Sequence, residues 1–280
     1  QHMWGYGSSP IIHDGLCILN FGPGNREFLI AVDVSTGETR WKVDSMDDQA
    51  ERELSGPEND GNANDFTSDK ERSERLRGSW NTPIMVQVNG RSELIVALPR
   101  RVIALDPSTG EQLWACGDGA PLAYASLMED DGIVVALGGY RGASFAVRAG
   151  GHGDVTATHR LWHKPKDIGW LGTGVVHEGT VYICDAGGVI YCIDVKTGEF
   201  LWKSRGDGGG TWSSITQTSD GTMYLLTKSG TTTVFRPDRQ AFKRVAENEL
   251  SEASNASVVV AGKEVLVRTD ETLWCFAESE

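Results

Sequence analysis

Six short stretches of the chain place an aromatic or amide side chain two or three positions before a small hydroxyl residue. Aromatic rings beside polar groups suit the apolar face of a sugar ring, a quinone or a peptide. These stretches therefore predict ligand-binding residues, although large aromatics also pack commonly as wedges inside proteins. The aromatic members are Tyr6, Trp80, Tyr124, Trp170 and Trp212, and Asn255 begins the sixth stretch.

The hydroxyl residues of the same stretches have a structural interpretation. Buried Ser and Thr hydroxyls usually satisfy backbone groups nearby, and a repeated one suits a crowded place where neighbouring segments meet. We therefore expect these hydroxyls to bond to adjacent backbone rather than to a ligand. They are Ser9, Thr82, Ser126, Thr173, Ser214 and Ser257.

Several cations fall in predicted turns next to these stretches. They are Arg100 and Arg101 in LPRRV, Arg141 in GGYRG and Lys228 in TKSG. Gathered in one place, guanidinium and ammonium groups bind a carboxylate or a sulfate. The alternative is that each is a solvated turn residue, since isolated surface charges are ordinary.

The segment DGNANDFTSDKE, residues 60–71, has the ligand spacing of a calcium loop. Oxygen ligands stand at loop positions one, three, five and twelve, which are Asp60, Asn62, Asn64 and Glu71. Position six is Asp65, where the loop requires Gly for its sharp turn. The segment is therefore a predicted calcium site, with a disordered acidic loop as the alternative.

The sequence contains no motif that would carry catalysis. It has no Gly-x-Ser-x-Gly, no phosphate loop and no His-Glu-x-x-His, and no catalytic residue is predicted. None of the five Cys forms a C-x-x-C pair, so a zinc site is not expected. Most of them lie in apolar strand-like settings, where free Cys packs as a small hydrophobe.

A second, longer repeat must position these residues. Its copies are AVDVSTGETRW, ALDPSTGEQLW and CIDVKTGEFLW, which share the template small–x–Asp–x–x–Thr–Gly–x–x–x–Trp. Each copy reads as two strands joined by a tight turn, in which Gly takes a positive φ and Asp accepts backbone N–H groups. The copies span residues 31–41, 104–114 and 192–202.

A β unit repeated every few tens of residues is typical of a propeller, because each unit needs neighbours to cover its faces. At roughly 40 residues per unit, the chain predicts one all-β domain over residues 1–280. This is a β-propeller of about six four-stranded antiparallel blades, or part of a seven- or eight-bladed parent. The third and fifth blades lack the full template, and residues 1–7 could supply the outer strand missing from the last.

An acidic insertion at residues 44–79 separates the first two predicted blades, with short helices expected near 46–54 and 68–77. Because strands alternate in direction within a blade, the aromatic stretches, the cations and this insertion fall on one face. The Thr-Gly turns fall on the other. The predicted ligand site is therefore the aromatic-lined mouth of the central channel.

Composition restricts the partners. Asp and Glu outnumber Lys and Arg by 39 to 26, which gives a net charge of −13 and argues against nucleic acid or an anionic membrane as a partner. No apolar run is long enough to span a membrane, and a monomer is expected. The chain opens QHMWGYGSSP without a signal peptide, and its His-Met pair is interpreted as a cloning scar.

The Asp-x-x-Thr-Gly…Trp template resembles that of the pyrroloquinoline-quinone-repeat (PQQ-like) β-propellers. This superfamily holds quinone dehydrogenases and non-catalytic relatives, among them the lipoprotein that assists outer-membrane barrel assembly. The order of the blades, GGYRGASFAV and RTDETLWCF are most similar to exported propellers of planctomycete-type bacteria. The resemblance covers nearly the whole chain outside residues 44–79, and it implies a periplasmic or otherwise exported parent protein.

The functional expectation is a non-catalytic binding or interaction propeller without a cofactor, whose ligand is a protein or a carbohydrate. One alternative implied by the resemblance is a dehydrogenase that uses pyrroloquinoline quinone and calcium. In that family a Trp stacks under the quinone and two adjacent Cys form a disulfide above it, whereas no two Cys are adjacent here. Another alternative is a polysaccharide lyase or hydrolase that uses the same face.

Overall fold

The computed structural model of the chain describes residues 5–23, 27–44, 78–140, 142–206 and 208–277. Their regular structure is β-strand throughout, with no helix in these ranges, so the predicted all-β class is confirmed. The chain divides into two compact units, Gln1–Asp167 and Ile168–Glu280. The predicted insertion helices lie outside the described residues.

The first unit contains fifteen described strands. The first eight are β1 (Ile11–His13), β2 (Leu16–Phe21), β3 (Phe28–Asp33), β4 (Thr39–Asp44), β5 (Gly78–Ser79), β6 (Ile84–Val88), β7 (Arg91–Leu98) and β8 (Arg101–Leu105). The others are β9 (Gln112–Cys116), β10 (Leu122–Ala123), β11 (Met128–Asp130), β12 (Ile133–Ala136), β13 (Ser144–Arg148), β14 (Gly153–Asp154) and β15 (Arg160–Lys164).

These strands form three antiparallel sheets with a short addition. The first sheet has the order β1-β2-β3-β4, and the third has the order β11-β12-β13-β15. The second runs β6-β7-β8-β9, and β14 adds to its outer edge as a parallel fifth strand. Strands β5 and β10, which precede the innermost strands of the second and third sheets, pair with each other in parallel.

The second unit repeats the arrangement with eleven described strands. They are β16 (Val175–His177), β17 (Thr180–Cys184), β18 (Val189–Asp194), β19 (Phe200–Arg205), β20 (Thr216–Gln217), β21 (Met223–Leu226), β22 (Thr231–Arg236), β23 (Lys243–Glu249), β24 (Val259–Ala261), β25 (Glu264–Arg268) and β26 (Leu273–Ala277). The fourth sheet is β16–β19, the fifth is β20–β23, and the sixth has the three strands β24–β26. As for the outer strand predicted from residues 1–7, residues 5–7 form no strand, and residues 1–4 lie outside the described ranges.

The repeated turn has the predicted geometry. The Asp33 carboxylate accepts the backbone N–H of Ser35 at 2.9 Å and of Thr36 at 3.1 Å. Gly37, at φ +75°, donates its N–H to the Asp33 carbonyl, a conformation that costs Gly little. The turns at Asp106 and Asp194 have the same bonds.

Strand pairing explains why the template begins with a small residue. In each of the first four sheets the terminal Trp is paired with a small residue of the third strand, immediately before a β-bulge. The pairs are Trp41 with Ala31, Trp114 with Ala104, Trp162 with Ala146, and Trp202 with Cys192. In the fifth sheet the sizes are exchanged, because Ala246 is paired with Val234 at the same register.

The Trp side chains reach the turn of the following sheet. Trp41 Nε1 donates to the carbonyl of Pro107 at 2.9 Å, and Trp202 Nε1 donates to that of Asp238 at 2.8 Å. A Cβ on Gly110 would lie 2.8 Å from the Trp41 ring. The repeat therefore joins neighbouring sheets, and its residues have a structural role.

Trp114 has a different partner, because the third sheet lacks the Asp-x-x-Thr-Gly turn. Its Nε1 donates to the buried carboxylate of Glu93 at 2.8 Å. The same carboxylate accepts the Gly150 N–H from the replacing turn and pairs with Arg91 at 2.6 Å. Glu93 thus connects the second sheet to the third where the regular turn is missing.

Apolar side chains fill the spaces between neighbouring sheets of each unit. Trp114, Phe145 and Val134 belong to one buried cluster in the first unit, and Tyr182, Met223 and Phe235 to another in the second. None of the described residues belongs to a helix long and apolar enough to cross a membrane.

Candidate functional site

The small hydroxyl residues link the segments that enter neighbouring innermost strands. In the first unit Thr82 Oγ1 accepts the Ser9 N–H at 3.0 Å, and Ser126 Oγ accepts the Thr82 N–H at 3.2 Å. In the second unit Ser214 Oγ accepts the Thr173 N–H at 3.0 Å, and Ser257 Oγ accepts the Ser214 N–H at 2.8 Å. The structural interpretation is confirmed for these four hydroxyls, whereas Ser9 and Thr173 take part in these bonds through their backbone N–H groups.

A second set of polar residues was missed by the sequence analysis. Ser79, Thr211 and Ser254 stand directly before the aromatic or amide position, and each donates its hydroxyl to a carbonyl at the end of a second strand. The acceptors are Ala97, Leu226 and Arg268. The sequence does show this set, because a hydroxyl residue stands directly before the aromatic or amide residue in three of the six stretches.

Two of the predicted aromatics, Trp80 and Tyr124, form a connected surface with Tyr140 in the first unit, and a third, Tyr6, adjoins it through Gly5. Trp80 and Tyr124 pack with ring centroids 4.9 Å apart, and Tyr140 meets Tyr124 edge-on at 5.6 Å. Trp80 Nε1 donates to the Gly5 carbonyl at 3.0 Å, next to Tyr6. Tyr6 and Tyr140 are 50% and 59% exposed, whereas Trp80 and Tyr124 are half-buried.

We call Tyr6, Trp80, Tyr124 and Tyr140 the aromatic surface. Its outer members are available to a ligand, and its inner members are held in place by packing. Tyr6 is supported on its other side by Phe21, at a centroid distance of 4.5 Å. Tyr140 was not predicted, although it lies inside the GGYRG stretch.

The glycines of that stretch allow the aromatic surface to form. A Cβ on Gly139 would lie 2.2 Å from the Tyr124 ring, and one on Gly142 would lie 2.5 Å from Ala120 Cβ. Only glycines permit this close approach. Burial raises the pKa of the Tyr124 phenol, with the nearby Tyr140 adding to the effect, so the Tyr124 ring stays neutral across the physiological range.

The predicted arginines differ in their exposure to solvent. Arg100 is exposed in a turn at φ +66°, and its backbone bonds with Ala120 and Gly119. Ala120 packs closely against Gly142 of the GGYRG stretch. The turn at Arg100 therefore lies beside the glycines that allow the aromatic surface to form. Arg101 is partly buried, and Arg141 lies outside the described residues.

The predicted aromatics of the second unit behave differently from those of the first. Trp170 is fully buried and meets Tyr191 edge-on at 5.2 Å, so it offers no surface to a ligand and acts as a packing wedge. Trp212 is 44% exposed, with Lys228 Nζ 3.7 Å from its ring centroid. The two form one cation–π pair, in which the lysine covers the ring that was predicted to receive a ligand.

The predicted calcium ligands Asp60, Asn62, Asn64 and Glu71 lie outside the described residues. Within the described ranges no group of three or more His, Cys, Asp or Glu is placed to hold a metal ion. All five Cys lie in these ranges, and all are free thiols. Burial raises the pKa of Cys116 to about 11 and of Cys184 to about 12, which suits packing rather than reactivity.

Comparison with known proteins places this arrangement in a family. The family model described as "Outer membrane protein assembly factor BamB" matches residues 25–280. The chain belongs to this family. The chain is therefore a PQQ-like β-propeller related to the outer-membrane assembly lipoproteins, as the template predicted.

Among solved structures, BamB from Moraxella catarrhalis is similar to this member of the family. The TM-score is 0.62 at 14% sequence identity, over 95% of this chain and 70% of that chain. At this identity the similarity shows the fold alone: a β-propeller of four-stranded antiparallel blades, about six of them in this chain. None of the curated proteins is significantly similar to the chain in sequence.

Proposed function

We propose that this BamB-family chain is a non-catalytic protein-interaction propeller that binds its partner through the aromatic surface of the first unit. The observation that carries the proposal is the contact series from Trp80 through Tyr124 to the exposed Tyr140. Tyr and Trp are enriched at protein interfaces because they bury a large area at a low cost in conformational entropy.

The support beneath the aromatic surface favours binding. The ring of Tyr124 is fixed between Trp80 and the Gly139 backbone. Because these rings are ordered before a ligand arrives, association loses little side-chain freedom. The hydroxyl groups nearby are used in bonds to backbone, so they position the segment rather than perform chemistry.

We propose an extended protein segment as the ligand, in keeping with the family, and a carbohydrate as the alternative. Both present an apolar face that can lie on aromatic rings. We also propose that the parent protein is exported, because the matching family is described by outer-membrane protein assembly.

Peptide and glycan arrays probed with the purified chain test the proposal. Tyr140→Ala and Tyr6→Ala should each weaken binding by about tenfold or more, as expected for aromatic anchors. Phe200→Ala serves as the matched control, since Phe200 is a comparably exposed aromatic of the second unit. Loss of binding in the control alone, or no binding on either array, would contradict the proposal.

The quinoprotein alternative is tested with the same sample. Pyrroloquinoline quinone and calcium are added while tryptophan fluorescence and dye reduction are followed. A non-catalytic propeller gives no dye reduction with alcohol or sugar substrates. Fluorescence quenching with turnover would replace the proposal by the dehydrogenase.

A further inference from the structure

Two large side chains of the first unit stand on strained backbone. They are Arg100, at φ +66°, and Tyr140, at φ +43°, a conformation that is rare for residues of this size. The other non-glycine residues with positive φ in the described ranges are Asp, Asn or Glu directly before a glycine, in turns where a positive φ is common. These residues are Asp14, Asn89, Asp118, Asp131 and Glu178.

Other sheets have glycine at the position of Arg100. Arg100 stands directly before the third strand of its sheet, β8. The fourth and fifth sheets have Gly188, at φ +88°, and Gly230, at φ +87°, directly before their third strands β18 and β22. Glycine adopts this conformation at no steric cost, whereas a residue with a side chain is strained. A strained residue that the fold does not require indicates a functional side chain.

The turns that carry Arg100 and Tyr140 pack against the same residue. Arg100 donates its N–H to the Ala120 carbonyl at 2.7 Å. A Cβ on Gly142 would lie 2.5 Å from Ala120 Cβ, and the Gly142 N–H closes the turn that contains Tyr140 by bonding to the Gly139 carbonyl at 2.8 Å. The fold therefore places Arg100 beside the turn that presents Tyr140, at one end of the aromatic surface.

The Arg100 guanidinium supplies a positive charge at this end. Its side chain is exposed, and no carboxylate among the described residues pairs with it. Asp118, in the adjoining loop, is bound by Arg160 at 2.9 Å. A guanidinium binds a carboxylate through parallel N–H groups. In a chain with a net charge of −13, this cation marks a local place where an acidic group is attracted rather than repelled.

We propose that Arg100 selects the partner of the aromatic surface, which is an extended protein segment with an acidic residue close to an aromatic one. This inference rests on the proposed function and names the chemistry of the partner. The aromatic residue of the segment lies against Tyr140, and its carboxylate binds the Arg100 guanidinium. Because both turns are fixed on Ala120, the spacing between the two contacts is set before the segment binds.

A peptide array built from matched sets tests the inference. Each set keeps one Trp in an otherwise constant sequence and carries Glu, Gln or Lys at one to four residues from that Trp. The wild-type chain should bind the best Glu peptide at least about tenfold more tightly than its Gln counterpart. The Lys counterpart should bind more weakly than the Gln peptide.

Two substitutions of Arg100 separate recognition from folding. Arg100→Gly introduces the residue that the fourth and fifth sheets have at this position, so the thermal midpoint should be unchanged or raised. Arg100→Gln keeps a side chain but removes the charge. In both variants the preference for Glu over Gln should disappear, while binding of the Gln peptides remains. Arg148→Gln is the matched control, since Arg148 is an exposed arginine at the far end of β13, and it should keep the preference.

Equal binding of the Glu and Gln peptides by the wild type would overturn the inference, as would a preference that survives Arg100→Gly. If Tyr140→Ala still weakens binding in either case, the proposed function stands without the inference. No binding to any set would contradict the proposed function itself.

Two further results would replace the partner. A glycan array on the same sample could show a preference for uronic acids that depends on Arg100, which would make the ligand an acidic saccharide. Analytical ultracentrifugation could show a dimer that Arg100→Gln abolishes, which would make the partner a second copy of the chain. Either result would overturn the assignment of an acidic protein segment.

Discussion

The indole N–H of Trp41 donates to the carbonyl of Pro107, 66 residues later, at 2.9 Å. The bond crosses from the outer strand of the first sheet to the turn of the second. Beneath the same ring lies Gly110, the glycine of the second copy of the template. One copy of the repeat is therefore completed by the next, which explains why Trp and Thr-Gly occur together.

Gly110→Ala and Gly37→Ala separate the two roles of the turn glycine. Both residues have φ +75°, but a Cβ on Gly37 meets no atom within 4 Å, while one on Gly110 meets the Trp41 ring. Gly37→Ala should cost about 1–2 kcal/mol from backbone strain. Gly110→Ala should cost about 1–3 kcal/mol more from overpacking, measured by denaturant unfolding.

Trp41→Ala supplies the control for that comparison. In the Trp41→Ala background only the Val43 methyl group, 3.0 Å from the added Cβ, still contacts it, so most of the extra cost of Gly110→Ala over Gly37→Ala should disappear. Equal costs of the two glycine substitutions in the wild-type background would show that the ring and the turn do not interact.

The carboxylate of Glu93 should be a large single contributor to stability in the first unit. It is fully buried and bonded to Arg91, Trp114 and Gly150. Glu93→Ala leaves these donors without their acceptor and should destabilise the chain by about 3–5 kcal/mol. The exposed Glu111→Ala should change stability by less than about 0.5 kcal/mol, and a similar loss in both variants would refute the role of Glu93.

Most of the fold could be predicted from the repeat, since the spacing of Asp, Thr-Gly and Trp indicates strands, turns and sheets. The partners of the Trp side chains could not be predicted, because those residues lie a whole repeat away in the sequence. Trp80 and Trp170 occupy equivalent positions in the sequence pattern, but one is half-buried and the other fully buried. That difference comes from what packs over each ring, and a local pattern cannot report it.

Acid should weaken the contribution of the Asp33 turn. The hydrogen bond from the Ser35 hydroxyl, followed by those from the Ser35 and Thr36 N–H groups, lowers the pKa of Asp33 to about 2. Because the folded pKa lies below the unfolded value of about 3.9, the contribution is complete above the unfolded pKa. It is lost as the pH falls through about 2.

The unfolding free energies of wild type and Asp33→Asn, measured from pH 7 to pH 2, test this dependence. The two should differ most at pH 7 and converge at the acid end. A difference that stays constant over this range would mean that the charge on Asp33 contributes nothing to the turn.

Ser79 should hold Trp80 and, through it, the aromatic surface. Its hydroxyl donates to the Ala97 carbonyl at 2.6 Å and accepts the Asn20 amide at 3.0 Å, with only 1% of the residue exposed. Ser79→Ala removes the hydroxyl that donates to the Ala97 carbonyl, while the Asn20 amide keeps the Asn81 carbonyl at 3.0 Å, and the change should cost about 1–3 kcal/mol. The exposed Ser251→Ala should cost less than about 0.5 kcal/mol. Because Ser79 positions Trp80, its loss should also alter the near-ultraviolet circular dichroism of the folded chain, whereas an unchanged spectrum would limit Ser79 to a role in stability.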